Sequence, residues 1–309
     1  MFAFLAASSA HRSWTVESLP LASSRARQAV SSTSHSPWNM ESRAGCAFGN
    51  WTLCTCAFCR FITLVGIFAL SVLPESLPSK TAPRASNPEP FSSDFSESVL
   101  DEAIAKKADM IVNHHPYIFH PIKKIISTEY STRLIIKAIK NDITVYAAHT
   151  NLDNVRDGLN FVVARELGLN DIGFLEQTTE NSGSGVTGTF ATPMDETDFL
   201  QFVKDKLQIG AMRYSHTTGK KIHRVSICTG AGAFLCNKAL EIGSDAFITG
   251  DVRHHEFYIP DNRMLLIDAG HYETEQFSRR WFMEVIRKRF PDVAVEYAES
   301  GVNPIGFLH

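Results

Sequence analysis

From residue 96 onward, short apolar segments of strand length alternate with amphipathic segments of helical length. The strand-like segments cover residues 109–113, 144–148, 187–190, 224–228, 246–249, 264–268 and 293–297. Alternation of this kind is typical of α/β domains, in which helices cover the faces of a sheet. The sequence therefore predicts an α/β fold. Open α/β sheets place their sites at the carboxyl ends of their strands.

Histidines and carboxylates follow four of these predicted strands, within residues 114–116, 149–153, 250–255 and 271–275. His271 and Glu275 are four residues apart at the start of a predicted helix, so they share one face. An acidic residue there is also explained by the helix dipole alone. Imidazole and carboxylate donors without thiolate suit Zn, Fe or Mn. A set of five such groups favours two metal ions with a bridging carboxylate, an arrangement that activates water.

A loop of small residues, 229–233, lies between a predicted strand and a predicted helix. Such a loop at a helix N-terminus can hold a phosphate group. However, Leu235 stands where the third glycine of a dinucleotide-binding motif belongs, and no Walker lysine follows. The loop is therefore either a phosphate cradle or a tight turn between strand and helix.

Residues 1–96 differ in kind from the rest of the chain. Residues 1–42 contain eleven Ser, three Arg and two acidic residues, a composition typical of organelle transit peptides or of a disordered leader. Four cysteines (Cys46, Cys54, Cys56 and Cys59) lack the paired motif of zinc sites. The apolar segment 61–73 is shorter than the about twenty residues that span a bilayer. This region is predicted to be atypical or disordered, either a leader or the product of an incorrect gene model.

The charge balance argues against some classes of partner. The formal net charge is −3, with 30 Lys and Arg against 33 Asp and Glu, so there is no strong signal for nucleic acid and no polybasic membrane surface. No transmembrane segment is predicted. We expect a cytoplasmic protein, or a mitochondrial one if residues 1–42 act as a transit peptide.

Together these motifs resemble the Nif-three-like (YbgI-type) family, whose members are also called GTP cyclohydrolase I type 2 homologues. The matching stretches are residues 108–116, 149–153, 230–232, 248–251 and 268–275, followed by 303–304. The resemblance implies a domain at 97–309 with two similar α/β lobes, about 97–180 and 181–309, around a dinuclear metal cleft. It also implies a ring-shaped homohexamer. The family's first strand is not recognisable before Ser96, so the first lobe is expected to lack or alter it.

Position by position, the resemblance implies that the ligands of two divalent metal ions are His114, His115, Asp153, His271 and Glu275. Asp153 is the implied bridging residue, and Glu275 can share that role. His149 and His255 are expected near the centre as catalytic or substrate-contacting groups. The expected function is a metal-dependent hydrolase acting on a nucleotide or another phosphorylated small molecule. The alternatives are a non-enzymatic metal-binding regulator or scaffold, with a possible protein partner, and a metal storage or trafficking protein.

Overall fold

The computed structural model describes residues 88–308. Residues 1–42, interpreted as a transit peptide or a disordered leader, the cysteine cluster and the apolar segment 61–73 all lie outside these residues. In the part of the chain that is described, no helix is both long enough and apolar enough to cross a membrane.

Strands and helices alternate along most of this region. The strands are β1 (Glu89–Ser92), β2 (Met110–Asn113), β3 (Thr144–Ala147), β4 (Asn170–Thr179), β5 (Ser182–Asp195), β6 (Arg213–Tyr214), β7 (Lys221–Ile227), β8 (Ala246–Thr249), β9 (Leu265–Asp268) and β10 (Val295–Tyr297). The α-helices are α1 (Glu97–Lys106), α2 (Tyr130–Lys140), α3 (Thr150–Asp153), α4 (Leu159–Glu166), α5 (Glu196–Lys206), α6 (Cys236–Glu241), α7 (His271–Glu275) and α8 (Ser278–Arg289). Two short 3₁₀ helices cover Ala233–Leu235 and His254–Tyr258. The predicted α/β fold is confirmed.

The first sheet has four parallel strands in the order β10-β1-β2-β3. Adjacent residues of a strand face opposite sides, so Ile111 packs with helices α1 and α2 while Val112 enters the core shared with the second sheet. Helix α1 begins as its sequence predicts, because the Ser96 hydroxyl accepts a hydrogen bond from the Val99 amide at 3.3 Å.

The second sheet has six strands in the order β4-β5-β7-β8-β9-β6. Strands β7, β8 and β9 are parallel, whereas β4, β5 and β6 pair antiparallel with their neighbours. The largest core cluster joins Val112 of the first sheet to Ile227, Ile248 and Ile267 of the second. The carboxyl ends of β2, β3 and β9 are followed by the histidine-containing segments.

The expectation that the first lobe lacks or alters its first strand is resolved by strand β1, which is present. It lies between β10 and β2, and its Phe91 is 1% exposed. The strand has only four residues and contains Pro90, which has no amide hydrogen and is atypical of a central strand. It also precedes the predicted domain start at residue 97, while β10, from the predicted second lobe, completes the first sheet.

The remaining differences concern pairing and helix ends. The hairpin of β4 and β5 is longer than the predicted strand 187–190, because it includes Gly- and Thr-rich residues without a clear apolar pattern. The predicted helix that starts at His271 ends at Glu275 as α7, and a second helix, α8, follows after Gln276 and Phe277.

Glu89 generates a prediction about pH and stability. Its carboxylate accepts a hydrogen bond from the Met110 amide at 2.5 Å, and burial raises the pKa of Glu89 from 4.5 to about 8. The folded chain then holds a proton that the unfolded chain has lost, so stability falls as pH rises from 4.5 to about 8. Glu89→Gln should remove this decline. At pH 9 its free energy of unfolding should exceed that of the parent chain by about 1–3 kcal/mol.

Urea unfolding at pH 5 and pH 9 measures the effect. Glu176→Gln, on an exposed carboxyl of β4, is the matched control and should keep the parent pH profile. An equal pH dependence in Glu89→Gln and the parent chain would contradict the role of this buried carboxyl.

Candidate metal centre

The five predicted ligands come together from both sheets. His114 and His115 follow β2, and Asp153 is the last residue of α3, which follows β3. His271 and Glu275 are the first and last residues of α7, directly beyond β9. Parallel strands deliver their carboxyl ends to one edge of a sheet, and here those edges of the two sheets face each other across the cluster.

Glu275 lies at the centre of this cluster. Its Oε1 is 3.6 Å from Nε2 of His114, and its Oε2 is 2.7 Å from Nε2 of His115 and 3.0 Å from Nε2 of His271. Nε2 of His115 and Nε2 of His271 are 3.1 Å apart. Asp153 completes the cluster with Oδ1 3.5 Å from Nε2 of His114.

The donor atoms form three overlapping groups, each within 4.8 Å, that could hold a metal ion. The groups are His114 with His115 and His149, His115 with His271 and Glu275, and His114 with Asp153 and Glu275. Since Glu275, His114 and His115 each belong to two of these groups, the arrangement suits ions that share ligands.

Three atoms of the cluster are buried and make no hydrogen bond: Nε2 of His114, Oδ1 of Asp153 and Oε2 of Glu275. The short contact of Glu275 with His115 does not have hydrogen-bond geometry. Nδ1 of His114 donates to the Ala148 carbonyl at 2.8 Å, so in the neutral ring Nε2 carries a lone pair. Lone pairs that face one another inside a protein are unfavourable, at about 1–3 kcal/mol for each unpaired group. A cation among them removes this cost, so these residues fit a metal ion.

Hydrogen bonds fix the orientation of the other two rings. Nδ1 of His115 lies 2.8 Å from Oδ1 of Asp94, and Nδ1 of His271 lies 2.6 Å from Oδ2 of Asp251. Carboxylates that bind the distant nitrogen of a metal-ligating histidine orient its ring and increase its basicity. Sequence reasoning gave neither residue a role. Asp251 lies in one of the four strand-end segments, and its φ of +52° is uncommon for a residue with a side chain.

The pKa values of the clustered side chains are shifted, because these groups are buried close to one another. Burial raises the pKa of Asp153 to about 7. Burial also acts to raise the pKa of Glu275, but the surrounding imidazoles outweigh it and hold the value well below the ordinary range. Burial opposes a charge on His115, yet Asp94 and Glu275 raise its pKa to about 10, and Glu275 and Asp251 raise the pKa of His271 to about 9. The cluster therefore attracts positive charge, as protons or as metal ions.

The loop at 229–233 is a tight turn that makes room for Glu275. Gly230 has φ +63°, and a Cβ there would lie 2.1 Å from Oε1 of Glu275. The amides of Thr229, Gly230 and Gly232 donate to Asn160 Oδ1, Thr274 Oγ1 and Thr249 Oγ1, respectively. These amides are therefore already paired within the protein, which argues against the phosphate-cradle interpretation.

The two histidines predicted as catalytic groups differ in position. The ring of His149 lies 5.3 Å from that of His114 and 5.7 Å from that of His115. His255 lies in the 3₁₀ helix His254–Tyr258 and packs on His254 at 5.2 Å. Within residues 88–308, no group of potential metal ligands includes His255. Its catalytic role stays a prediction.

The fold and the cluster define a two-sheet α/β protein with a histidine and carboxylate centre between the sheets. The chain belongs to the Duf34/NIF3 (NGG1p interacting factor 3) family, which matches residues 90–304. This confirms the resemblance found in the sequence.

Relatives agree with this assignment, and solved structures share the fold. Proteins called "GTP cyclohydrolase 1 type 2 homolog" from Clostridium acetobutylicum and Streptococcus pneumoniae are 37% and 35% identical, over 59% and 58% of this chain and 69% of each relative. A Bacillus cereus protein related to NIF3 has a TM-score of 0.67 at 21% identity, covering 72% of this chain and 90% of that one. The protein ybgI has a TM-score of 0.64 at 23% identity, covering 77% of this chain and 94% of that one.

Gly230 yields a prediction with a matched control. Gly230→Ala places a methyl group against Glu275, whereas Gly243→Ala, at φ +71°, meets nothing within 4 Å. Both variants should lose about 1–2 kcal/mol of stability from the left-handed backbone. Only Gly230→Ala should also bind metal at least about 10-fold more weakly, as measured by calorimetric titration. Equal metal affinity in the two variants would contradict the role given to Gly230.

Asp251 yields a second prediction. Asp251→Asn keeps the left-handed backbone, which Asn tolerates, but removes the charge beside His271. Metal affinity should fall about 10-fold. Asp261→Asn, at an exposed residue with φ +50°, should leave it unchanged. A result in which both substitutions behave alike would show that Asp251 does not support the ligand.

Proposed function

We propose that this protein is a metal-dependent hydrolase that holds two divalent ions, Zn, Fe or Mn. The proposed ligands are His114, His115, Asp153, His271 and Glu275. The observation that carries the proposal is the set of buried atoms of His114, Asp153 and Glu275 that face one another without hydrogen bonds. Imidazole and carboxylate donors match these metals.

A two-metal centre supplies an activated water and stabilises the negative charge that develops on the substrate. Asp94 and Asp251 lie against the ligand rings, and with Asp153 and Glu275 they would balance the charge of two divalent ions. An anionic substrate, such as a phosphate ester, would therefore bind through open coordination positions on the ions and not through a net charge. Asp94, Asp251 and the Ala148 carbonyl hold three ligand rings in fixed orientations.

We assign His149 the role of proton acceptor. Burial lowers the pKa of His149, and the neighbouring imidazoles of His114 and His115 lower it further. The ring is therefore neutral near pH 7 and able to accept a proton from water or substrate, as a general base does. His255 is proposed as a second catalytic group, placed by resemblance alone.

The substrate class follows from two arguments of different kinds. Coordination by the proposed ions requires only an anionic, hydrolysable group, so a phosphorylated small molecule suffices. The relatives' name, "GTP cyclohydrolase 1 type 2 homolog", supports a nucleotide and specifically the opening of a purine ring. We propose a nucleotide as the first substrate class to test.

A non-enzymatic role is the competing proposal. The matching family is described by an interaction, as NGG1p interacting factor 3, and apolar side chains such as Val302, Ile305 and Leu308 are exposed. A metal-binding regulator or scaffold would use such surfaces for protein contacts. They also support the proposed homohexamer, which native mass spectrometry tests. A cytoplasmic or mitochondrial location remains a prediction.

The test combines metal analysis with a hydrolysis screen of GTP and other nucleotides. The metal-loaded chain should bind about two ions, and His114→Ala and Glu275→Gln should each lose metal. Turnover in these variants should fall at least about 100-fold. His223→Ala, an exposed histidine outside the cluster, is the control and should change neither quantity.

Each alternative outcome is decisive. Loss of metal without any change in turnover contradicts the hydrolase. A chain that binds no metal after loading contradicts the whole site. A metal-bound chain that hydrolyses no nucleotide or phosphate ester favours the regulator or scaffold. Circular dichroism verifies that each variant is folded.

A further inference from the structure

An exposed aromatic side chain lies beside the metal cluster. Phe119, in the segment between β2 and α2, is 68% exposed. Its ring centroid lies 6.3 Å from that of His149, and His149 in turn contacts the rings of His114 and His115. Phe119 is therefore the solvent-facing end of a row of rings that leads to the proposed ligands.

At least part of the Phe119 ring face is open. Its two ring contacts, with His149 and His120, are edge-to-face, at interplanar angles of 81° and 90°. A ring that is mostly exposed can still accept a planar group in an offset-stacked arrangement.

The rest of the segment combines apolar side chains with positive charge. Ile118, Ile122 and Ile125 are also exposed. These apolar side chains and Phe119, called the apolar patch, all lie within residues 118–125, and exposed apolar surface is found at ligand and partner sites. Lys123 is exposed and makes no ion pair with any residue of the described range, whereas Lys124 lies 3.4 Å from Glu129. A ligand with one flat apolar part and one anionic part matches this segment.

We propose that Phe119 is the stacking platform for a planar heterocyclic base, so that the substrate is a nucleoside phosphate and not a ring-free phosphoester. This inference rests on the proposed hydrolase function and names its substrate class. An aromatic side chain can stack on any of the bases, because every base has a π-face. Phe119 would contribute affinity and specificity, while the hydrolysed group reaches the metal cluster next to His149.

The experiment compares two probes that differ only in the base. GMP and ribose 5-phosphate are titrated into the full, metal-loaded chain by calorimetry, for the parent, Phe119→Ala, Phe119→Trp and Phe234→Ala. Phe234 is 69% exposed and makes no ring contact with the described histidines, so it is the matched control. Bound metal is measured in each sample.

The expected result is selective. Phe119→Ala should weaken GMP binding about 5- to 30-fold, within the range of base–aromatic stacking, and leave ribose 5-phosphate within about 2-fold. Phe119→Trp should restore the affinity for GMP, and Phe234→Ala should behave as the parent. Metal content should be the same in all four. For a nucleotide that is turned over, KM should rise while kcat changes little.

Several results would overturn the inference. Unchanged GMP affinity in Phe119→Ala rejects the platform while leaving the hydrolase proposal intact. Equal weakening of both probes, or loss of metal, indicates a structural role instead. A changed oligomeric state with unchanged GMP affinity assigns the patch to contacts between copies. If the metal-loaded parent binds neither probe, the nucleotide-hydrolase proposal fails and the platform fails with it.

Discussion

The buried carboxylate of Glu275 is the interaction on which the rest of the site depends. It faces His114 and His115 from the first sheet and His271 from its own helix. A buried charge is stable only when it is paired, so both sheets must place their strand ends close to it. The surrounding backbone accommodates this carboxylate, since a Cβ at Gly230 would lie 2.1 Å from Oε1 of Glu275.

The cluster is held by contacts that are formed far apart in the sequence. Asp94 lies just beyond β1, and Asp251 just beyond β8, and each binds the outer nitrogen of a histidine from another segment. The order β10-β1-β2-β3 places β1 at the centre of the first sheet. The supporting carboxylate of His115 therefore depends on a strand of only four residues.

The sequence predicts the clustered side chains better than the carboxylates that orient them. Regular apolar strands precede the segments that carry His114, His115, Asp153, His271 and Glu275, so periodicity and the family resemblance point to these five residues. Strand β1 was missed because Pro90 interrupts its pattern and its stability comes from neighbours, among them Val112 of β2 and Val295 of β10. The role of Asp94 was missed for the same reason. Pairing between distant segments has no local signature in the sequence. The small-residue loop at Gly230 has the composition of a phosphate cradle, but its amides are paired within the protein.

A metal ion in this centre would act on folding as well as on chemistry. His114 and His115 come from the first sheet, while His271 and Glu275 follow β9 of the second. Any ion bound by members of both pairs therefore crosslinks the sheets. The ligand geometry exists only when the two sheets are packed together. The free energy of ion binding would therefore stabilise the packed sheets against separation. The apolar core of Val112, Ile227 and Ile248 brings the sheets together without an ion. It follows that the core sets the coarse geometry and that a bound ion would tighten the edge that carries the cluster.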